Sequence, residues 1–488
     1  MTSHSILSQR TVSGQRKSAR AAHAHPLDRP ACLLPRFVRR SALAMRIYRL
    51  LRPIDWAALP ERNLSRNYGQ PAVPYAAFVA AYLVKIDQRL VYMSDLRCFL
   101  VAHPALCWLL GFPMPICIGR PSSAQADACL PTQRHLTRML QQIPNTYLQA
   151  LLDQTVSLLR AELTDNCPEF GQTISLDTKH VIAWVKENNP KAYIKGGRYH
   201  KDQQPSGDPD CRLGCKRKRN QRTGTQGALS EGAATPLHDA VPAKSLQIGE
   251  FYWGYGSGVV ATKIPNWGEF VLAELTQPFN CGDLSYFFPL MTAVQRRLGF
   301  RPRFGALDAA YDAWYVYEYF HREDEPGFAA VPLVKKGGHR RTFDAEGLPL
   351  CKAGLSMPCK FTFGARKGVL VPHKKGRYVC PLFFPEPTGQ PCPIDDPHWA
   401  KGGCKTTLAA SIGARIRHQL DRDSAAYKDL YRQRTATERI NALATDLGIE
   451  RPKLRNGAAI ANLNTLIYVL INLRVLQRVR AKRQAKSS

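Results

Sequence analysis

Between residues 174 and 308 strand-like segments stand on either side of one helical segment, an order that restricts the chain to mixed α/β folds. Ile174-Ser175-Leu176-Asp177 alternates apolar and polar residues, as a half-buried strand does. Residues 251–255 and 258–262 repeat strand chemistry and read as a hairpin pairing with that first strand. Asp283 then caps a helix carrying Phe287, Leu290, Val294 and Leu298 at three- and four-residue steps. Residues 304–307 form a further strand ending at Asp308. Residues 313–321 read as a helix and 328–334 as a buried strand.

The flanking segments differ in character. Residues 1–45, rich in Ser, Ala and Arg with Asp28 as the one acid, read as a disordered basic tail, with Met45 as an alternative start. From 46 to 165 the pattern is helical: Phe78, Tyr82, Leu83 and Ile86 follow Pro74 at helical steps, and Leu148, Leu151, Leu152 and Leu159 share a face. Residues 131–140 add cations to a helix start or turn, giving either a DNA-binding helical domain or a plain bundle with a solvated basic face. Within the polar stretch 187–245, read as a basic loop insertion, Arg212, Lys216, Arg217, Lys218, Arg219 and Arg222 run without an intervening acid. Such a run is either a solvated linker or a sequence-independent grip on phosphates.

Residues 336–422 hold many Gly and Pro residues, short strand-like pieces and Cys351, Cys359, Cys380, Cys392 and Cys404, and read as a β-rich insertion. Their spacings of 8, 21, 12 and 12 fit no common zinc knuckle, so ordinary buried thiols are expected and bound zinc is the weaker reading. Long helices are predicted over 424–446 and 457–480, followed by a basic tail at 481–488.

Lys and Arg outnumber Asp and Glu by 68 to 38, and the net charge of +30 favours a polyanionic partner. The longest apolar run near the C-terminus, 466–471, falls far short of the ~20 residues of a membrane span, so nucleic acid is preferred over a membrane. Fourteen cysteines scattered through a long chain, with no secretory leader pattern, point to a reducing cytoplasm.

Three acids stand out against this background. Asp177 lies in LDTKHV, Asp308 in LDAAYD, and Glu438 in the helical text YRQRTATE, where Tyr431, Arg434 and Glu438 follow at steps of three and four on one predicted face. Carboxylates from two strand ends and a helix can hold a pair of hard divalent cations through oxygen. On these residues the chain resembles the DDE-type transposases of bacterial insertion sequences, over roughly residues 50–480. That family's helical signature separates Tyr, Arg, Glu and Lys by two, three and six residues; Thr445 occupies the Lys position here.

The resemblance implies an RNase H-like mixed sheet flanked by helices, with an N-terminal helical domain and a β-rich insertion before the catalytic Glu. The catalytic domain would be residues 168–335 and 423–480. Asp177, Asp308 and Glu438 would hold two Mg²⁺ or Mn²⁺ ions, cleave phosphodiesters at the element's ends, and join the 3′-OH ends to target DNA. Arg434 would contact a phosphate and Tyr431 the DNA nearby. The partners implied are terminal inverted repeats, target duplex and a second copy of the chain, in the bacterial cytoplasm. Two alternatives stand beside this: a metal-dependent nuclease on the same fold, and a decayed transposase that binds DNA without cutting it.

Overall fold

Alternate residues of the central strands feed two separate apolar cores, and this alternation builds the architecture. The computed structural model describes residues 25–60, 73–114, 121–165, 167–217, 249–334 and 341–487. A six-stranded sheet consists of β1 (Thr173–Ile182), β2 (Arg212–Arg217), β3 (Gly249–Ile264), β4 (Gly268–Pro278), β5 (Phe304–Leu307) and β6 (Phe328–Ala330). β2 and β4 pair with β3, and the order continues β3–β1–β5–β6. β1 runs antiparallel to β3 and parallel to β5, and β5 is parallel to β6, so the sheet is mixed. Ile174, Leu176 and Val260 enter one core; Val181, Val259 and Ala261 enter the other.

The first core is completed by α9 (Leu284–Leu298), through Tyr286, Phe287 and Leu290. On the opposite face lie α13 (Thr435–Asp446) and α14 (Gly457–Ser487), through Ile440, Ala444 and Tyr468. Before the sheet come α1 (Arg36–Arg39), α2 (Ala42–Leu51), α3 (Tyr75–Asp87), α4 (Met93–Ala102), α5 (Pro104–Leu109), α6 (Ser123–Cys129), α7 (Gln133–Gln142) and α8 (Asn145–Leu163). α10 (Trp314–Phe320) and α11 (Ile412–Gln419) pack together, and between them stands a separate antiparallel sheet, β7 (Cys359–Gly364), β8 (Lys374–Val379) and β9 (Lys405–Ala409). α12 (Ala425–Arg432) precedes α13.

The predicted hairpin over 251–262 is instead one continuous strand. Gly256 and Gly258 do not turn; they make room for Tyr286 of α9. A Cβ at either would lie 2.5 Å from a Tyr286 atom, and the Tyr286 hydroxyl donates to the Gly256 carbonyl at 3.0 Å. The turn comes after Ile264, where Asn266 takes a positive φ of 65°. β1 likewise runs five residues past Asp177, because β3 continues to pair with it after β5 has ended.

Four further boundaries change. Residues 25–45 are folded rather than a tail, since Leu27, Leu34 and Val38 bury themselves and Tyr48 donates to the Arg29 carbonyl at 2.7 Å; residues 1–24 lie outside the described residues. The basic stretch expected as a loop contains β2, paired to β3 across Arg212–Arg217. The helix predicted over 424–446 is two helices. Gln433 and Arg434 donate to carbonyls three residues back, tightening the backbone between α12 and α13. The C-terminal helix extends through Ser487 because Arg480 and Arg483 both pair with Glu162 of α8, at 2.7 and 2.8 Å.

α14 is long and apolar enough to cross a membrane, with mean hydropathy 1.5, yet 89% of that window is buried inside the fold. A helix apolar on all sides suits the middle of a large protein as well as a membrane. Its polar residues decide the matter here. Asn462 donates to the Leu140 and Ile143 carbonyls at 2.7 and 2.8 Å, and Asn464 to Thr276 at 2.8 Å. Asn472 donates to the Val271 carbonyl and to Thr155, and accepts from the Val271 N–H, all within 3.0 Å. These side chains join the N-terminal helices to β4. Asn472→Leu would strand both polar groups of Val271 in a dry core, so unfolding in urea should show a loss of about 2–4 kcal/mol. A loss below about 0.5 kcal/mol would mean that water or a neighbour replaces the amide.

Candidate active site

The β1–β5 register brings two of the predicted acids together. Leu176 lies opposite Leu307 as the last pair of the two parallel strands, so Asp177 and Asp308 emerge side by side at the next step. Beyond that point the strands part. β1 stays with β3, while Asp308 starts a turn in which its carboxylate accepts from the Ala310 N–H at 2.9 Å. Asp177 accepts from the Thr178 N–H at 2.9 Å and from the Asn441 amide of α13 at 3.0 Å.

A third aspartate joins them from the other layer. Asp283 stands at the N-terminal end of α9, where its backbone is already helical and its side chain caps nothing. Its carboxylate lies by the Thr178 hydroxyl, which itself lies 3.2 Å from the Tyr311 hydroxyl. The expected capping role is thereby corrected. No local pattern marks this residue as part of a site, because its partners sit on β1 and after β5.

The three carboxyls share one electrostatic condition. Burial is the main force raising Asp177, to about 6, with the charges of Asp308 and Asp283 adding to it. Burial also raises Asp308, again with Asp283 contributing, and burial raises Asp283. The guanidinium of Arg434 opposes the shift at both Asp177 and Asp308. Asp283 adds its charge to both Asp177 and Asp308, with the Arg434 cation beside them, and all three are oxygen donors of the type that hard divalent ions take.

Glu438 is placed differently. It lies on the first turn of α13, exposed, and pairs with Arg434 at 2.5 Å. Arg434 in turn sits 5.8 Å over the ring of Tyr431, which stacks at 5.9 Å on Tyr427. Asn441, one turn beyond Glu438, reaches Asp177 directly. The structure therefore docks this stretch of α13 on β1 but turns the Glu438 carboxylate to Arg434. Among the described residues no three or more His, Cys, Asp or Glu side chains are grouped so as to hold a metal ion. The predicted single helical face for Tyr431, Arg434 and Glu438 is likewise split between α12 and α13.

The other candidates separate cleanly. Asp312, which follows Asp308 in the same LDAAYD segment, is a structural clamp: it holds Arg417 of α11 at 2.6 Å and accepts from Tyr317 at 2.8 Å. Asp446, the other acid of the same helix, is exposed at the end of α13. His180 is on the opposite face of β1 from Asp177, 4.6 Å from the Phe279 ring, as a packing histidine. Arg212 is occupied by its own loop, donating to the Pro209 carbonyl at 2.7 Å and to Gln204 at 3.2 Å. Lys216 is exposed on β2 and Arg217 ends that strand, whereas Lys218, Arg219 and Arg222 lie outside the described residues.

Raised carboxyls predict a pH signature. Asp177 titrates near 6 in the fold against 3.8 for a free carboxyl. Its contribution to stability is therefore complete below the lower value and lost as pH rises through 6. In metal-free buffer at pH 8, Asp177→Asn should stabilise the protein by about 1–3 kcal/mol, a gain that vanishes near pH 4. The replacing amide can donate to Asn441 Oδ1, which is buried without a partner. Equal stability changes at both pH values would show that charge is not responsible. No protein-family model, curated protein or solved structure matches the chain, so its function has to be read from these side chains.

Proposed function

We propose that the protein is a metal-dependent DNA strand-transfer enzyme of the DDE transposase type. The observation that carries this reading is the emergence of Asp177 and Asp308 side by side past the last β1–β5 pair, as crowded, partly protonatable carboxyls. The sheet supports it. Three antiparallel strands, β4–β3–β1, followed by the parallel pair β5–β6, are the arrangement of an RNase H-like domain. The net charge of +30 fits a duplex DNA partner, both the element's ends and the target. A bacterial cytoplasm and pairing of two chains on DNA belong to the same reading.

Asp177 and Asp308 would hold two Mg²⁺ or Mn²⁺ ions, with Asp283 contributing from α9 and Glu438 from α13. Such ions supply Lewis acidity for attack of water, then of a 3′-OH, on a phosphodiester and for departure of the 3′ oxygen. The protein's own side chains do the positioning. The Asn441 amide and the Thr178 N–H fix the orientation of Asp177. Arg434 can exchange Glu438 for a DNA phosphate, to which its planar fork presents two N–H groups. That exchange frees Glu438 to turn inward, so substrate and metal would assemble the site together.

The direct test uses duplexes made from the DNA flanking the gene, with Mg²⁺, Mn²⁺ or EDTA. Metal-dependent nicking at a repeat end and joining of pre-cut 3′-OH ends are expected. Cleavage without joining would place the protein among nucleases, and binding without metal-dependent cleavage among decayed relatives. Glu438→Gln should reduce cleavage at least about a hundredfold while end binding changes little, because affinity for duplex DNA rests on Lys and Arg contacts to phosphate. Wild-type cleavage by that variant would move the third ligand elsewhere, with Asp283 the first place to look.

Charge gives an independent check. If the cation run grips phosphate, neutralising Lys216, Lys218 and Arg219 together should lower the slope of log K against log salt by about 2.7. An unchanged slope would make the run a solvated linker.

A further inference from the structure

The insertion between α10 and α11 is too poorly cored to hold itself together by apolar burial. From 341 to 411 the buried apolar side chains are Pro349, Met357, Val379 and Cys380. All six residues of β7 are exposed, and Phe361, Leu370 and Ile394 are each about half exposed. Units of about 70 residues or fewer with so little core usually depend on disulfides or a structural metal. The described cysteines are free thiols, so no disulfide serves here.

Four of those thiols surround one small cavity. Cys351, Cys380, Cys392 and Cys404 line it together with Asp396 and Trp399. They arrive from four separate places: a bridge-flanked turn, the residue after β8, a loop, and the residue before β9. Three of them begin tight turns. Gly354, Phe383 and Asp395 each donate their N–H to the carbonyl of the cysteine three residues earlier, at 3.1, 3.2 and 3.4 Å. At the first turn the Leu355 N–H also points at the Cys351 sulfur, 3.4 Å away, an interaction that stabilises a thiolate. Cys404 follows Gly402 and Gly403, both at positive φ. A Cβ on Gly403 would lie 2.7 Å from the Cys380 Cβ and 3.0 Å from its sulfur, so only glycine lets this loop close on Cys380. The loop thus brings Cys404 to the Cys380 side of the cavity.

We propose that Cys351, Cys380, Cys392 and Cys404 bind one structural zinc ion that staples the ends of the β7–β8–β9 sheet. Four soft sulfur ligands and no open coordination position are the donor set of a closed tetrahedral zinc site. Binding would release the thiol protons to solvent and leave four thiolates on the metal. As placed, the thiols line the cavity without forming a group that holds an ion, and the ion would draw them in, as folding and metal binding are coupled in small metal-stapled units. Cys359 is outside the set: it is exposed on β7 and turned toward the Phe361 carbonyl. This explains why the spacing carried no zinc signal, since each ligand comes from its own turn rather than from a short Cys pair. The site is separate from the aspartates and owes nothing to the DNA chemistry.

The test is elemental analysis of the full-length protein purified without chelators. One zinc per chain is expected, falling at least about tenfold in Cys380→Ser and Cys404→Ser and unchanged in Cys359→Ser. Because a Ser variant can misfold, the wild-type protein supplies a second readout: an organomercurial should release zinc in step with modification of four thiols. Cobalt in place of zinc should give thiolate charge-transfer absorption and tetrahedral d–d bands. Wild-type protein without stoichiometric zinc, with iron instead, or with the four cysteines joined as disulfides would overturn the proposal. So would zinc retained in Cys404→Ser.

Discussion

Asn472 satisfies both the N–H and the C=O of Val271 while reaching Thr155 of α8, and in doing so fastens three layers at one point. Asn462, Asn464 and Thr465 repeat the arrangement along α14, towards the N-terminal helices on one side and β4 on the other. A helix this apolar has many ways to bury itself, because dispersion and water exclusion are not directional. Its buried amides remove that freedom. Each must find a partner or cost free energy, so they select one rotation and one height for α14. Arg297 adds a charged version of the same device, donating from α9 to the Leu272 carbonyl and to Gln149 while pairing with Asp153. Glu274 sits at the centre, accepting from Thr465 and Gln149, and burial holds its carboxyl up to about 7. With β3 and β4 fixed this way, β1 and β5 fall into register and the aspartates are set beside each other.

The aspartate cluster then runs against stability. Three carboxyls raised by burial and by one another make the folded state less favourable at neutral pH than uncharged residues would. Such a cost is of the kind that the proposed chemistry would require. Arg434 divides its charge between the aspartates and Glu438, so it offsets part of the repulsion and holds the third predicted ligand at the rim. The same arginine thus links substrate phosphate, metal ligand and resting ion pair in the proposed reaction.

The insertion is fastened to the layer that carries the aspartates by a different contact. Asp312, four residues past Asp308, clamps Arg417 of α11, and Gly413 lets α11 lie directly on the Trp314 carbonyl of α10. The two ends of the insertion are therefore held by the structure that carries Asp308. What lies beyond them has few buried apolar contacts of its own, and four cysteines stand where a core would be.

Local text was enough for the mixed α/β class, the helical N-terminal layer and the β-rich insertion, and it marked Asp177 and Asp308 as strand-end acids. These follow from periodicities of two and 3.6 and from strand-end positions, which depend on neighbours in the chain. Tertiary packing decided the rest. Gly256 and Gly258 read as a turn until Tyr286 is seen lying against them. Leu27 and Val38 read as tail until a core receives them, and Asp283 reads as a cap until β1 brings Thr178 to it. The Glu438–Arg434 pair and the four-thiol cavity are likewise invisible in spacing. In each case the deciding contact joins residues far apart in sequence, or turns a side chain toward one of two partners. A linear pattern records which faces must be buried, whereas only the assembled fold determines what each face meets.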